Sequence, residues 1–156
     1  MRFFTKCVLL TIVVPGTVCA QSASKRVLVA NLKNNTVADG CGCYFKFRGT
    51  PRNAERYLFF SSAEEDDELS AWMNIEGRDV KLSLARTREV KRGERVGSKS
   101  TRRYVAGDTL VDATYIASKV CKRDDEHCES TEYDATIVVK KGTKSQVLKA
   151  FGICGC

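Results

Sequence analysis

Apolar residues recur at every second position along most of this chain, which is the pattern of β-strands with one buried face. The alternation is clearest in five segments: 45–47, 69–75, 80–84, 110–120 and 133–139. Three further runs, at 26–32, 57–61 and 146–151, are apolar or aromatic and also favour strands. Short Gly-containing turn sequences separate several of these runs, as expected for β-hairpins.

This pattern predicts an all-β fold with about seven or eight short strands. No long helical pattern interrupts them, so we expect a single antiparallel β-sandwich or a small β-barrel. A chain of 156 residues can build one hydrophobic core but is short for two. The sequence also contains no low-complexity segment.

The first twenty residues have the composition of an export signal. Two basic side chains come first, residues 7–14 are apolar, and the small residues at 18–20 fit a cleavage site. We therefore predict a signal peptide at 1–20 and a single secreted β-domain at 21–156. The expected localisation is secreted or periplasmic.

Two membrane-bound alternatives compete with this prediction. An integral membrane protein is not expected, because no apolar run approaches the roughly 20 residues that a spanning helix needs. Attachment of a lipid at Cys19 is the other alternative. It would favour a small residue immediately before the cysteine, where the chain has Val18.

Removal of residues 1–20 changes both the charge and the cysteine count. It takes away two of 26 basic residues and none of 19 acidic ones, so 24 against 19 remain, a formal charge of +5. It also removes Cys7 and Cys19 and leaves six cysteines, an even number that favours disulfides in an exported chain. These six are Cys41, Cys43, Cys121, Cys128, Cys154 and Cys156.

The cysteines fall into two groups that suggest different roles. Cys121 and Cys128 flank a polar connection between two predicted strands, and a bridge there would contribute roughly 2.5 kcal/mol on the chain-entropy model. The other four form two Cys-Gly-Cys motifs, at 41–43 and 154–156, near opposite ends of the predicted domain. Disulfides between these motifs would clasp the chain shut.

The Cys-Gly-Cys motifs also allow an alternative function. Four thiolates at Cys41, Cys43, Cys154 and Cys156 could surround zinc or copper(I), which are soft enough to prefer sulfur ligands. A bridge within one motif would be strained and would suit thiol exchange. The oxidising compartment favours structural disulfides over both, so no cofactor is predicted.

Residues 86–103 form a strongly basic stretch, with eight basic side chains against two acidic ones. We predict that it forms a long solvated loop or ribbon. This segment could contact an anionic envelope surface or an acidic protein, or it could be a solvated segment without a partner. Nucleic acid is not favoured, because Tyr104 is the only aromatic residue nearby. Trp72 is a second candidate contact, with core packing as its alternative fate. The predicted partner-binding residues are Arg92, Arg95, Arg102, Arg103 and Trp72.

No sequence motif indicates catalysis. His127 is the only histidine and lies in a charged segment, and the acidic run at 64–68 lacks the ligand spacing of a calcium loop. We therefore expect a non-enzymatic exported β-domain that binds a partner protein or an anionic envelope component. The alternative is a metal-binding or thiol-exchange protein.

Overall fold

The computed structural model describes residues 26–63, 70–88, 95–121 and 128–156. The predicted signal peptide, the acidic run at 64–68, Arg92 and His127 lie outside these ranges. Within them the chain forms nine β-strands and one short 3₁₀ turn at Asn35–Val37. The strands are β1 (Val29–Ala30), β2 (Gly42–Phe47), β3 (Phe59–Ser62), β4 (Ala71–Ile75), β5 (Arg78–Arg88), β6 (Lys99–Ala106), β7 (Thr109–Lys119), β8 (Ser130–Lys141) and β9 (Lys144–Gly155).

Strands β2 to β9 form a closed, eight-stranded antiparallel barrel. Each strand pairs with its neighbour in sequence, and the first barrel strand, β2, also pairs with the last, β9. The all-β, antiparallel prediction is confirmed, and the barrel is the form that the fold takes. Closure pairs the edge strands that an open sheet would expose.

The N-terminal segment completes the wall of the barrel beside the short strand β3. β3 pairs with β4 only as far as Met73, and β1 takes over opposite Asn74 and Ile75. The predicted strand over 26–32 is therefore reduced to two residues. Asp79 on β5 holds the chain that follows β1, because its carboxylate accepts hydrogen bonds from the backbone N–H groups of Lys33 and Asn34.

Large side chains fill the interior of the barrel. An eight-stranded barrel is just wide enough for its own side chains to fill. Phe45 stacks on Tyr115 with ring centroids 4.9 Å apart, and Phe59 meets Tyr104 edge-on at 5.5 Å. The following inward side chains are at most 3% exposed: Phe45, Phe59, Met73, Ile75, Leu82, Tyr104, Val111, Tyr115, Ile137 and Val139.

The two ends of the barrel differ in their connections. At one end, two-residue turns at 76–77, 107–108 and 142–143 join successive strands. Glu76 and Gly77 both have positive φ values, 51° and 79°, as a type I′ hairpin turn requires. The opposite end carries the connections between β3 and β4, β5 and β6, and β7 and β8, together with all three disulfides.

In the described ranges, no helix has the length and apolar character needed to cross a membrane.

Candidate functional site

Two disulfides join the strands that close the barrel. Cys43 of β2 lies opposite Cys154 of β9 and is bonded to it, and Cys41 is bonded to Cys156 just beyond the strand ends. Cys43 is buried and, with Cys154, packs into the hydrophobic core. The predicted clasp between the two Cys-Gly-Cys motifs is therefore present, and it lies at the seam of closure.

Gly42, between the two cysteines of the first motif, lies opposite Gly155 of the second. A Cβ atom on Gly42 would come within 2.4 Å of the Ser61 carbonyl oxygen and 2.7 Å of the Phe60 ring. Real Cβ atoms do not approach other atoms so closely, so a larger residue at position 42 would push β3 away from β2.

The third disulfide joins Cys121 to Cys128 at the base of the connection between β7 and β8, as predicted. Three disulfides in one small domain indicate an oxidising, non-cytoplasmic environment. Every cysteine in the described ranges is paired, and no cluster of metal-ligating side chains occurs there. A metal at Cys41, Cys43, Cys154 and Cys156 would require reduction of both clasp disulfides, so it stays an alternative hypothesis.

A groove of about 470 Å³ lies on the outer wall of the barrel. Strands β2, β8 and β9 form its floor, the end of β7 forms one side, and the connection between β2 and β3 forms the other. We call this feature the outer groove. Its lining residues are Tyr44, Lys46, Arg52, Tyr57, Ser118, Lys119, Glu132, Tyr133, Asp134, Phe151, Gly152 and Ile153.

Glu132 organises the charges of the outer groove. Its carboxylate accepts a hydrogen bond from Arg52 at 3.0 Å on one side and lies 3.5 Å from the Lys119 ammonium on the other. The hydrogen bond from Arg52, followed by the charge of Arg52 and by Lys119, lowers the pKa of Glu132 despite an opposing effect of burial. Arg52 also lies over the Phe151 ring, 5.9 Å from its centroid.

Aromatic side chains extend the outer groove around the barrel. Tyr57 contacts Tyr44, with centroids 5.3 Å apart, and Tyr44 contacts Phe60 at 4.9 Å. Phe60 lies opposite Trp72 on the same outer face. Trp72 is half-buried on this outer face. It therefore does not pack in the interior of the barrel. Tyr57, Tyr44 and Phe60 thus form a chain of ring contacts, and Trp72 is the cross-strand neighbour of Phe60 on β4.

The basic residues predicted as partner contacts differ in their surroundings. Arg95 is exposed at the start of the turn before β6, and Arg103 forms a bidentate ion pair with Asp112, at 2.6 and 3.0 Å. Arg92 lies outside the described residues. The described part of the basic stretch is a two-stranded ribbon rather than a long loop, because β5 and β6 pair directly.

Arg102 departs from the prediction, because it faces the interior of the barrel. It shares the inward face of β6 with the buried Tyr104, and its guanidinium lies 5.9 Å from the centroid of the Tyr115 ring. Burial and the neighbouring Tyr104 raise the pKa of Tyr115 well above its ordinary value, although the charge of Arg102 opposes this. Arg102 therefore lies half-buried on the inward face of β6 rather than in a solvated loop.

Comparison with known proteins returned no match: no family model fits the chain, and no curated protein or solved structure is similar to it.

Proposed function

We propose that this protein is an exported, non-enzymatic binding module that recognises a partner protein through the outer groove. The observation that carries this proposal is a groove of about 470 Å³ on a rigid, disulfide-closed wall, combining aromatic side chains with fixed charges. A cleft that joins apolar and aromatic surface to a few oriented polar groups is the usual form of a binding site. Because side chains fill the interior of the barrel, we expect a partner to bind on its outer surface.

The ionisable groups of the groove favour binding over catalysis. A general acid needs a raised pKa to hold its proton near neutral pH, whereas the pKa of Glu132 is lowered by Arg52 and Lys119. Glu132 is therefore ionised and accepts hydrogen bonds from both cations. This suits an electrostatic contact with a partner and does not suit a general acid.

The aromatic residues favour a protein as the partner. Tyr44, Tyr57 and Trp72 are each half-buried and partly accessible to a partner, and tyrosine and tryptophan are enriched among the residues that dominate protein interfaces. Ile153 adds an apolar side chain that is 44% exposed at the floor of the groove. Charged pairs around an apolar centre match the polar rim of such an interface.

Export is supported by the signal-like pattern at 1–20 and by the three disulfides, which persist in oxidising compartments.

Site-specific photocrosslinking tests the proposal. A photoreactive amino acid would replace Ile153 at the floor of the groove or, as the control, Val147 on the outward face of the same strand. Both positions are exposed, Val147 more so at 62%, and only Ile153 lines the groove. After irradiation of intact producing cells, we expect a discrete protein adduct from position 153 and none from position 147.

Substitution within the groove gives the second arm. Tyr57→Ala should reduce the yield of the Ile153 adduct without preventing folding, because Tyr57 lies in the connection between β2 and β3 and is half-exposed. Equal adducts from both crosslinking positions, or an Ile153 adduct unaffected by Tyr57→Ala, would show that the groove is not the recognition site.

A further inference from the structure

Two arginines face each other across β5 and β6 on the outer wall. Arg86 is directly opposite Arg103 in the antiparallel register, and Arg88 is opposite Thr101 on the same face. Like charges directly opposite each other destabilise a sheet. The arrangement therefore has an energetic cost unless a negative charge lies between the two strands.

A β-bulge places these side chains outside the barrel. Leu84 pairs with Tyr104, but Arg86 pairs with Arg103, so Ala85 is an extra residue on β5. Without it, residues 84 and 86 would share the inward face of the strand. The bulge reverses this alternation and presents Arg86 and Arg88 to solvent, and bulges are frequent where a side chain is re-aimed for function.

Among the described residues, an acidic side chain neutralises one of these three arginines. Asp112 accepts two hydrogen bonds from Arg103, at 2.6 and 3.0 Å. Arg86 and Arg88 form no ion pair with any described residue, so no acidic side chain in the described ranges compensates their two positive charges.

The side chains enclose a small cleft of about 210 Å³, lined by Arg86, Arg88, Thr101, Arg103 and Asp112. We call it the arginine cleft. The Thr101 hydroxyl lies 3.3 Å from that of Thr114 on β7. One hydroxyl of this pair donates to the other, which leaves the second hydroxyl proton free to reach a ligand oxygen.

We infer that the arginine cleft binds a phosphate monoester dianion. Two guanidinium groups that no described acidic residue neutralises match its two negative charges, and guanidinium binds phosphate oxygens through paired hydrogen bonds. A phosphodiester, with a single charge, would leave one arginine unpaired. The site goes beyond the proposed function, because the cleft lies on β5 to β7 whereas the floor of the outer groove lies on β2, β8 and β9.

Titration with inorganic phosphate, followed by NMR amide shifts at a fixed ionic strength, tests the inference. The test variant is Arg86→Gln/Arg88→Gln. The control is Arg78→Gln/Lys140→Gln, which removes the same charge from two exposed residues at the end of the barrel with the short turns. We expect the test variant to lose affinity about tenfold or more, since charged hydrogen bonds are lost. The control should stay within about twofold.

Phosphate-dependent thermal stability is the second readout. Phosphate should raise the unfolding midpoint of the wild type and of the control but not of the test variant, by mass action on the folded state. The test variant should fold at least as well as the wild type without phosphate, because it removes a repulsive pair. Its chemical-shift spectrum distinguishes loss of the site from loss of the fold.

Vesicles distinguish the two sources of the monoester. Phosphatidic acid presents a monoester headgroup and phosphatidylglycerol a diester, so both are mixed separately with phosphatidylcholine at matched surface charge. Binding of inorganic phosphate that depends on Arg86 and Arg88 supports a free phosphate, and dependence seen only with phosphatidic acid supports a lipid headgroup.

Three outcomes would overturn the inference: equal binding to both lipids, an equal loss of affinity in the test and control variants, or no binding to any probe. The adduct at Ile153 reports on the outer groove, so the two proposals fail separately.

Discussion

Cys43 of the first barrel strand is bonded to Cys154 of the last, and the two residues lie directly opposite each other in the register of the sheet. The covalent bond therefore fixes the one strand pair whose members are far apart in sequence, 111 residues for these two cysteines. All other neighbouring barrel strands are joined by short stretches of chain. The Cys41 to Cys156 bond repeats this link one step further out.

The two clasp disulfides should be redundant in chain entropy. Removal of one, as Cys41→Ser/Cys156→Ser, should cost little, because the other still closes nearly the same loop. Removal of all four cysteines should lower the free energy of unfolding by about 5 kcal/mol. Urea denaturation measures both, with Cys121→Ser/Cys128→Ser, expected to cost about 2.5 kcal/mol, as the short-loop comparison. A single-bridge variant as unstable as the four-cysteine variant would disprove redundancy.

Gly42→Ala should separate β2 from β3. Its Cβ would lie 2.4 Å from the backbone oxygen of Ser61, so relief requires movement of the strand, at a cost of about 2 kcal/mol or more. Amide exchange in β3 should accelerate. Gly107→Ala is the control: it has open space around its Cβ but a φ of 55°, so it should destabilise through local strain and leave β3 protected. Unchanged β3 exchange in Gly42→Ala would refute this.

Asp79 should make stability depend on acidic pH. Burial raises its pKa, but hydrogen bonds from the Asn34 backbone, the Asn74 side chain and the Lys33 backbone outweigh burial and lower it below the ordinary value of 3.8. Because the folded pKa is the lower one, the stabilisation is complete above the ordinary value and is lost as the pH falls through the folded value.

Urea midpoints between about pH 6 and pH 2 should therefore fall with acidification, and this part of the fall should be absent in Asp79→Asn. Identical profiles for the two proteins would show that Asp79 does not contribute to the pH dependence of stability.

Glu132→Gln should affect recognition more than stability. The two cations that pair with Glu132, Arg52 and Lys119, are largely exposed. Exposed ion pairs contribute about 1 kcal/mol or less to stability. Without the carboxylate, Arg52 is no longer held over Phe151, so the photocrosslink at Ile153 should weaken. Glu55→Gln makes the same chemical change in the same connection as Arg52, outside the groove lining, and should leave the adduct intact. A large stability loss in Glu132→Gln would contradict this division.

The barrel strands could be predicted because their alternation is strong and local. The predicted strand over 110–120 corresponds to β7 (Thr109–Lys119), and that over 133–139 lies within β8 (Ser130–Lys141). β1 is shorter than predicted, because it pairs with only two residues of β4. β6 (Lys99–Ala106) is not predicted as a separate strand, because its basic residues give no apolar alternation and the segment 86–103 is predicted as a solvated loop or ribbon. The choice between sandwich and barrel depends on the pairing of β2 with β9, which local periodicity does not encode.

The candidate sites were beyond prediction from local pattern. Arg52 and Glu132 meet across 80 residues of sequence, and neither belongs to a motif. The orientation of Arg86 depends on the bulge at Ala85, and that of Arg102 on its sharing a face with Tyr104. A one-residue change in register reverses which side chains face solvent, and charge composition alone carries no information about register.

The intact mass of the exported protein, measured without reductant after thiol alkylation from lysis onward, tests the central claim of an exported, disulfide-closed barrel. We predict a chain that begins at Gln21, carries no lipid and no alkyl group, and is lighter than its reduced form by two hydrogens for each of three disulfides. Four alkylated cysteines, with a metal lost on denaturation, would contradict the clasp and make the two Cys-Gly-Cys motifs a metal site instead.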